Sequence, residues 1–216
     1  MLKQYFLLSF LSIISMASSK NKQKKMLIIG DSISIGYTPF VRKHLSKEII
    51  VEHNIGNAQH SGVGLKNIDK WLGTQKWDII QFNWGLWDLC YRSKDSKIQG
   101  NRDKVHGEVT TLIEEYKSNL NEIIKIIKKK SDAKLIFVST TYVPEKELGR
   151  FQEDVNKYNE VAKKIMKENN ILINDIYAMS FLIHKKYGKG IDDVHYTKKG
   201  YEKLGELISN FIKDSI

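Results

Sequence analysis

The stretch MLIIGDSISIGY, residues 26–37, decides how the rest of the chain is interpreted. Its first four residues, Met26 to Ile29, are apolar, as expected of a strand buried on both faces of a sheet. The run stops at Gly30, Asp31 and Ser32, residue types that break a strand and favour a turn. We therefore predict a buried strand followed at once by a strand-to-helix turn, with Ser32 at the start of that turn.

Short apolar runs recur along the chain and alternate with longer amphipathic segments. The predicted strands are 26–29, 49–51, 78–82, 134–139 and 171–173, and the predicted helices are 40–46, 65–72, 105–130, 151–168 and 197–213. Strands that alternate with helices form right-handed crossovers and a parallel sheet covered on both faces. The pattern predicts an α/β fold: a three-layer α/β/α sandwich with about five parallel strands in flavodoxin-like order. In such sheets, sites form beyond the carboxyl ends of the strands.

The N-terminus differs from the rest of the chain. Residues 1–19 combine Lys3, an apolar run from Tyr5 to Met16 and the small residues 17–19, which are the parts of a secretory signal peptide. The apolar run is shorter than the roughly 20 residues that span a bilayer. We therefore predict a signal peptide over 1–19, one domain over 24–216, export to the periplasm or the cell exterior, and no stable membrane span.

Composition limits the classes of protein and partner. The 216 residues are 41% hydrophobic and 28% charged, which is typical of a globular domain. The net charge of +10 comes mostly from lysines dispersed among acids, and no arginine–aromatic stripe is present, so nucleic-acid binding is not predicted. Cys90 is the only cysteine, which excludes an intramolecular disulfide. The composition does not indicate an oligomeric state.

A serine at a strand end needs a base if it is to act as a nucleophile. The segment GIDDVHYTKKGY, residues 190–201, supplies a histidine just before the last predicted helix. Asp192 and His195 form a D-x-x-H pair, in which a turn could bring the carboxylate against the imidazole. Asp193 is a competing candidate for the acid.

The order and position of the GDS and D-x-x-H segments resemble those of the SGNH, or GDSL-type, hydrolase superfamily. The resemblance extends from Met26 to the end of the chain and implies Ser32 as nucleophile, His195 as general base and Asp192 as the acid that orients it. NWGLWDLCYR, residues 83–92, and TTYVP, residues 140–144, also resemble a secreted bacterial subgroup of this superfamily.

The two middle blocks depart from the family pattern, which has a glycine in the second block and an asparagine in the third, both donors to an oxyanion. Ala58 falls at the glycine, where its backbone N–H could still donate, and Gly56 is the alternative. Trp87 replaces the asparagine, so Asn57 or Asn83 would have to supply the side-chain amide, and Asn57 is preferred. The predicted oxyanion hole is therefore Ser32, Ala58 and Asn57 or Asn83.

Substrate contacts are expected from residues close to the strand ends, namely Asp31, Trp84, Trp87 and Tyr142. The aromatic side chains could form a platform for a sugar ring. Arg92 and Arg150 could bind a carboxylate or a sulfate, although solvated surface charge is the preferred interpretation. His53 and His60 have no acidic partner at metal-ligand spacing, so neither a metal nor an organic cofactor is predicted.

These features predict a secreted serine esterase that hydrolyses O-acyl esters, preferably O-acetyl esters, on carbohydrate. A lipid or short-chain carboxylesterase is the first alternative. The altered third block motivates a second alternative, a carbohydrate-binding protein that keeps the fold with impaired catalysis.

Overall fold

The structure is a computed structural model that describes residues 22–216, so the predicted signal peptide lies outside the described residues. The strands are β1 (Lys24–Ile29), β2 (Ile49–His53), β3 (Ile79–Phe82), β4 (Tyr91–Arg92), β5 (Glu108–Val109), β6 (Lys134–Val138), β7 (Leu172–Asn174), β8 (Gly188–Gly190) and β9 (Asp193–Tyr196). The helices are α1 (Ser32–Leu45), α2 (Ser61–Leu72), α3 (Ile113–Lys130), α4 (Gln152–Glu168), α5 (Tyr177–Tyr187) and α6 (Lys198–Ser215).

The central sheet has five strands in the order β2-β1-β3-β6-β7, and every neighbouring pair is parallel. This is the flavodoxin-like order, so the predicted fold class is confirmed. β2 lies on one side of β1, and the later strands β3, β6 and β7 lie on the other side. Right-handed crossovers therefore place α1 and α2 on opposite faces, and the order reverses between β1 and β3. A site is expected where β1 and β3 end.

The helices cover the sheet in two groups. α1 packs against α6, which also contacts α5, while α2 packs against α3, which also contacts α4. Residues Met26–Ile29 of β1 are buried between the two layers, as their apolar character predicts. No helix within residues 22–216 is long and apolar enough to span a bilayer.

Some helix boundaries differ from the predictions. α1 begins at Ser32 rather than at residue 40, because Asp31 caps the helix and the helix accommodates Pro39 in its interior. α3 begins at Ile113 because residues 105–112 include a turn and the short strand β5. α5 was not predicted, and the exposure of Met179, Leu182 and other apolar residues along it explains why no clear amphipathic pattern marks it.

Two antiparallel ribbons outside the central sheet were also not predicted. β4 pairs with β5, and β8 pairs with β9 in a hairpin whose turn contains Ile191 and Asp192. Strands of two to four residues are too short to produce a periodic pattern in the sequence.

Candidate active site

Ser32 is the first residue of α1, directly beyond the carboxyl end of β1. Its backbone N–H is one of those at the start of a helix that lack an intrahelical acceptor, so it is available to an anion. The Oγ atom of Ser32 lies 2.9 Å from Nε2 of His195. The structure thus brings together the two residues that the GDS and D-x-x-H segments single out.

Asp193, not Asp192, contacts the imidazole. Oδ1 of Asp193 lies 2.6 Å from Nδ1 of His195 and also accepts the backbone N–H of His195 at 2.9 Å. The prediction of Asp192 is wrong because residues 193–196 form strand β9, in which residues two apart point to the same side. Asp192 lies in the turn before β9, where it is exposed.

Ser32, His195 and Asp193 form a continuous hydrogen-bonded chain, called here the Ser–His–Asp chain. Partial burial acts to raise the pKa of the Asp193 carboxyl, but the hydrogen bonds and charge of His195 lower the pKa overall. An ionised carboxylate at Nδ1 favours the tautomer that carries its proton there. Nε2 is then free to accept the proton of the Ser32 hydroxyl, which is the arrangement that nucleophilic attack requires.

The prediction that Asp31 contacts the substrate is wrong. Asp31 is a structural residue beneath the site. Its side chain is buried and accepts the backbone N–H of Ile33 at 2.9 Å, which caps α1. Burial raises the pKa of this carboxyl, although the Ile33 N–H and the nearby charges of Arg150 and His195 act in the opposite direction. Asp31 therefore sets where the helix begins and so where Ser32 stands.

Two of the predicted oxyanion donors already donate hydrogen bonds to protein carbonyl groups. The backbone N–H of Ala58 donates to the Gly30 carbonyl at 3.0 Å, and the Asn83 amide donates to the Val138 carbonyl at 2.7 Å. The Ala58 N–H is therefore occupied, and Asn83 lines a different, small pocket rather than the Ser32 cleft, so both predictions are wrong. Gly56, the alternative, has a positive φ of 76° and an exposed position in the loop.

Asn57 lies on the wall of the same cleft as Ser32 and His195. Its Oδ1 accepts the backbone N–H of Gln59 at 2.8 Å, while its Nδ2 has no protein partner within residues 22–216. Gln59 itself has a φ of 49°, the left-handed region that favours glycine. Gln59, rather than Ala58, is therefore the position where a glycine would fit this loop.

The predicted aromatic platform is not a single surface. Trp84 is 1% exposed and donates its indole N–H to the Ala58 carbonyl, so it belongs to the core. Tyr142 lines a separate pocket together with Phe181. The prediction of Trp84 is wrong, and Tyr142 does not line the Ser32 cleft, because strand-end aromatics can pack inward or toward another pocket and the sequence does not distinguish these orientations. Trp87 alone lines the Ser32 cleft.

The cleft beside Ser32 has a volume of about 300 Å³. Three arginines line it together with Trp87, and these four residues are called here the arginine cluster: Trp87, Arg92, Arg102 and Arg150. Sequence analysis named Arg92 and Arg150 as possible anion contacts, with solvated surface charge preferred, and missed Arg102. No local pattern could have identified the group, because Arg150 comes from the connection between β6 and α4 and the other three members from the connection between β3 and α3.

Asp88 connects the start of α2 to the segment that follows β3. It is fully buried, and its Oδ1 accepts the backbone N–H of Ser61 at 2.8 Å and the Ser61 hydroxyl at 2.6 Å. Burial raises the pKa of Asp88 to about 6, against the opposing effect of the Ser61 hydrogen bonds. This carboxyl fixes the start of α2 to the segment that carries Trp87.

His53 and His60 have structural positions. Nε2 of His53 lies 2.7 Å from the Ser34 hydroxyl, on the side of α1 that faces β2. His60 precedes the first residue of α2 and is half-buried. Neither ring contacts the Ser–His–Asp chain.

The sequence matches a known protein family over most of its length. A family model described as GDSL-like lipase/acylhydrolase matches residues 26–208. No curated protein matches the sequence at a significant level.

Solved structures share the fold at low sequence identity. A lipase/acylhydrolase from Enterococcus faecalis superposes with a TM-score of 0.70 and 22% identity, over 89% of this chain and 97% of that one. An acetylxylan esterase from Geobacillus stearothermophilus gives 0.67 and 19%, over 88% and 94%. A further acetyl xylan esterase gives 0.66 and 18%, over 87% and 99%. The family match over most of the sequence, together with this shared fold, shows that the chain belongs to the GDSL-like lipase/acylhydrolase family and is an ester hydrolase.

Proposed function

We propose that this ester hydrolase uses Ser32 as its nucleophile and removes O-acyl groups, preferably O-acetyl groups, from carbohydrate. The observation that carries the mechanism is the Ser–His–Asp chain, with separations of 2.9 Å at the hydroxyl and 2.6 Å at the carboxylate. Both distances lie within hydrogen-bonding range, as an activated serine requires.

In the proposed mechanism, His195 removes the hydroxyl proton while Ser32 Oγ attacks the ester carbonyl. The C–O bond to the alcohol then breaks, and His195 returns the proton to the leaving alcohol. Water repeats the sequence on the acyl-enzyme and releases the carboxylic acid. The Ser32 backbone N–H and the Asn57 amide are the proposed donors to the oxyanion, since both lie at the cleft and Asn57 Nδ2 has no protein partner within the described range.

The cleft supports a carbohydrate substrate more than a long acyl chain. Most of the residues that line it carry polar or charged groups, and Trp87 supplies a large aromatic surface. Sugars combine many hydroxyl groups with an apolar ring face, which suits such a wall, whereas a fatty acyl chain needs a continuous apolar groove. The acetylxylan esterases among the structural neighbours act on an acetylated carbohydrate and agree with this proposal in substrate class.

Export is part of the proposal and rests on the sequence of residues 1–19. Lys3, the apolar run that follows and the small residues 17–19 are the parts of a signal peptide. A polysaccharide outside the cytoplasm would be the accessible substrate. The N-terminal residue of the protein recovered from the producing cell tests this directly, and an intact Met1 would contradict it.

The esterase proposal is tested by release of 4-nitrophenol from 4-nitrophenyl acetate and from a long-chain 4-nitrophenyl ester, and by release of acetate from acetylated xylan. Ser32→Ala should lower kcat/KM on every hydrolysed ester by at least about 10⁴-fold, because the residual rate comes from binding and the oxyanion donors alone. Preference for the long-chain ester would overturn the carbohydrate assignment. Equal activity in Ser32→Ala and the unsubstituted protein would overturn the nucleophile.

A further inference from the structure

The arginine cluster places three cationic side chains on the wall of the cleft that holds Ser32 and His195. Asp193 is the one acidic residue on that wall, and it is engaged with His195. Positive charge is therefore in excess at the mouth of the proposed active site, in the place where a substrate would have to lie.

Each guanidinium group is fixed by protein contacts rather than mobile in solvent. Arg150 is 5% exposed and donates from Nε to the Leu86 carbonyl at 2.6 Å. Arg92 donates from Nε to the Thr110 hydroxyl at 3.1 Å, from Nη1 to the Gly100 carbonyl, and lies 4.6 Å over the ring of Trp87. Such fixed donors lose little entropy when they bind a ligand.

The protein supplies one buried acid for two of these arginines. Oε1 of Glu147, which is 0% exposed, accepts Nη1 of Arg102 at 2.8 Å and Nη1 of Arg150 at 2.9 Å. One negative charge is thus shared between two cations, and Arg92 has no acidic partner within residues 22–216. Burial lowers the pKa of the Arg92 guanidinium, and the nearby charges of Arg150 and Arg102 act in the same direction, against the opposing effects of Cys90 and Glu147.

Donors remain available on all three side chains. The hydrogen bonds that hold the arginines use Nε and Nη1, and none of the three Nη2 groups has a protein partner in the described part of the chain. A guanidinium presents paired N–H groups that match the oxygens of a carboxylate, a sulfate or a phosphate. An anion in the cleft would satisfy these donors and reduce the repulsion among the three charges.

We infer that the arginine cluster binds an oxyanion group, a carboxylate, sulfate or phosphate, carried by the ester substrate close to the acyl group that Ser32 attacks. This inference rests on the proposed esterase function and names its substrate class: acylated acidic sugars rather than neutral ones. Arg92 stacks over one face of the Trp87 ring, and this contact holds its guanidinium at the cleft.

The test compares four acetylated methyl glycosides with the acetyl group at the same position. One is the neutral glucoside, and the others are the glucuronate, the 6-sulfate and the 6-phosphate, which separate the three sources of negative charge. The quantity measured is kcat/KM for each charged ester divided by kcat/KM for the neutral one. The unsubstituted protein should prefer at least one charged ester by about tenfold or more, the typical effect of a charged hydrogen bond.

Arg92→Gln and Arg102→Gln should each lower that ratio by about 10- to 100-fold. Arg42→Gln is the matched control. Arg42 lies on α1 and donates to the Val51 carbonyl, so its substitution removes one positive charge at a position away from the cleft. It should leave the ratio unchanged. Two arginine variants are used so that one remains informative if the other fails to fold, and thermal unfolding of each variant shows which are folded.

The outcomes separate this inference from the esterase proposal. Ser32-dependent hydrolysis with equal rates on charged and neutral esters, and no change of ratio in folded Arg92→Gln, would overturn the inference and leave the esterase standing. If no ester is hydrolysed, calorimetric titration of Ser32→Ala with methyl glucuronate, glucose 6-sulfate and glucose 6-phosphate decides the inference alone. Binding that is lost in the Ser32→Ala, Arg92→Gln double variant supports it, and no binding overturns it.

Discussion

The Ser–His–Asp chain and the arginine cluster line the same cleft, yet they are held by different kinds of structure. Ser32 opens a long helix at the end of a central strand, and His195 and Asp193 lie in strand β9. Arg102 and Arg150 lie on connecting segments, and Arg92 lies in a two-residue strand. The Ser–His–Asp chain thus rests on regular elements, while the arginine cluster rests on two connections outside the central sheet, which can vary without disturbing it.

The sharpest test of the Ser–His–Asp chain replaces each of two adjacent acids in turn. Asp193→Asn should lower kcat by about 10⁴-fold, because the amide no longer fixes the imidazole tautomer or stabilises the imidazolium. Asp192→Asn is the control and should leave kcat unchanged, since Asp192 is exposed in the preceding turn. Steady-state kinetics on 4-nitrophenyl acetate measures both. Equal losses in the two variants would contradict the assignment of Asp193 alone as the acid that orients His195.

The boundary between the two regions is tested at Asn57. Asn57→Ala should lower kcat by about 10²- to 10³-fold with a small change in KM, because an oxyanion donor acts in the transition state. Asn83→Ala is the control, since the Asn83 amide donates to the Val138 carbonyl and its loss should affect stability rather than kcat. Concentrations corrected by active-site titration are required. An unchanged kcat in Asn57→Ala would remove Asn57 from the oxyanion hole.

The support behind the arginine cluster is tested by the pH dependence of stability. The pKa of Asp88 is about 6 in the folded protein and near 3.8 when unfolded, so the folded state binds more protons between these values. The free energy of unfolding should therefore fall, through this group, as pH rises from about 4 to 6, by up to about 3 kcal/mol.

Asp88→Asn keeps an oxygen that can accept from Ser61 and removes the titration. The difference in free energy of unfolding, variant minus unsubstituted protein, should therefore grow between pH 4 and pH 6 and then level off. Urea unfolding at four pH values measures it. A difference that is constant across the range would mean that Asp88 does not titrate there.

The smallest effect concerns packing beneath the cleft. A Cβ at Gly64 in α2 would lie 2.5 Å from the ring of buried Trp84, so Gly64→Ala should lower the free energy of unfolding by about 1–3 kcal/mol. Gly62→Ala, one half-turn earlier, is the control. Its Cβ would meet the half-buried ring of His60 at 3.1 Å, and the gain in helix propensity should offset that contact. Thermal unfolding compares the two, and equal losses would locate the cost elsewhere.

The sheet could be predicted because its strands are buried on both faces and appear as apolar runs, and the positions of Ser32 and His195 followed from the strand and helix order. The acid was misassigned although a signal existed. In Asp193-Val194-His195-Tyr196 polar and larger apolar residues alternate with a period of two, which places Asp193 and His195 on one side of a strand.

Other features had no local signal. Arg102 and Arg150 meet through Glu147, which lies 45 residues from Arg102 in sequence and three from Arg150. Such contacts depend on how connecting segments fold over the sheet. The left-handed backbone of Gln59 is equally invisible, because a non-glycine residue rarely adopts it. The commitments of Ala58 and Asn83 to backbone partners likewise depend on tertiary structure.

Asp193 and His195 lie only two positions apart in sequence, and this has a consequence for how activity is lost. Their alignment is a property of a few residues of backbone, whereas the contact between Ser32 and His195 joins positions 163 residues apart. A local opening of the β8–β9 hairpin would carry base and acid away together as an intact pair. Activity would then vanish reversibly, in mild heat or dilute denaturant, before the sheet itself unfolds.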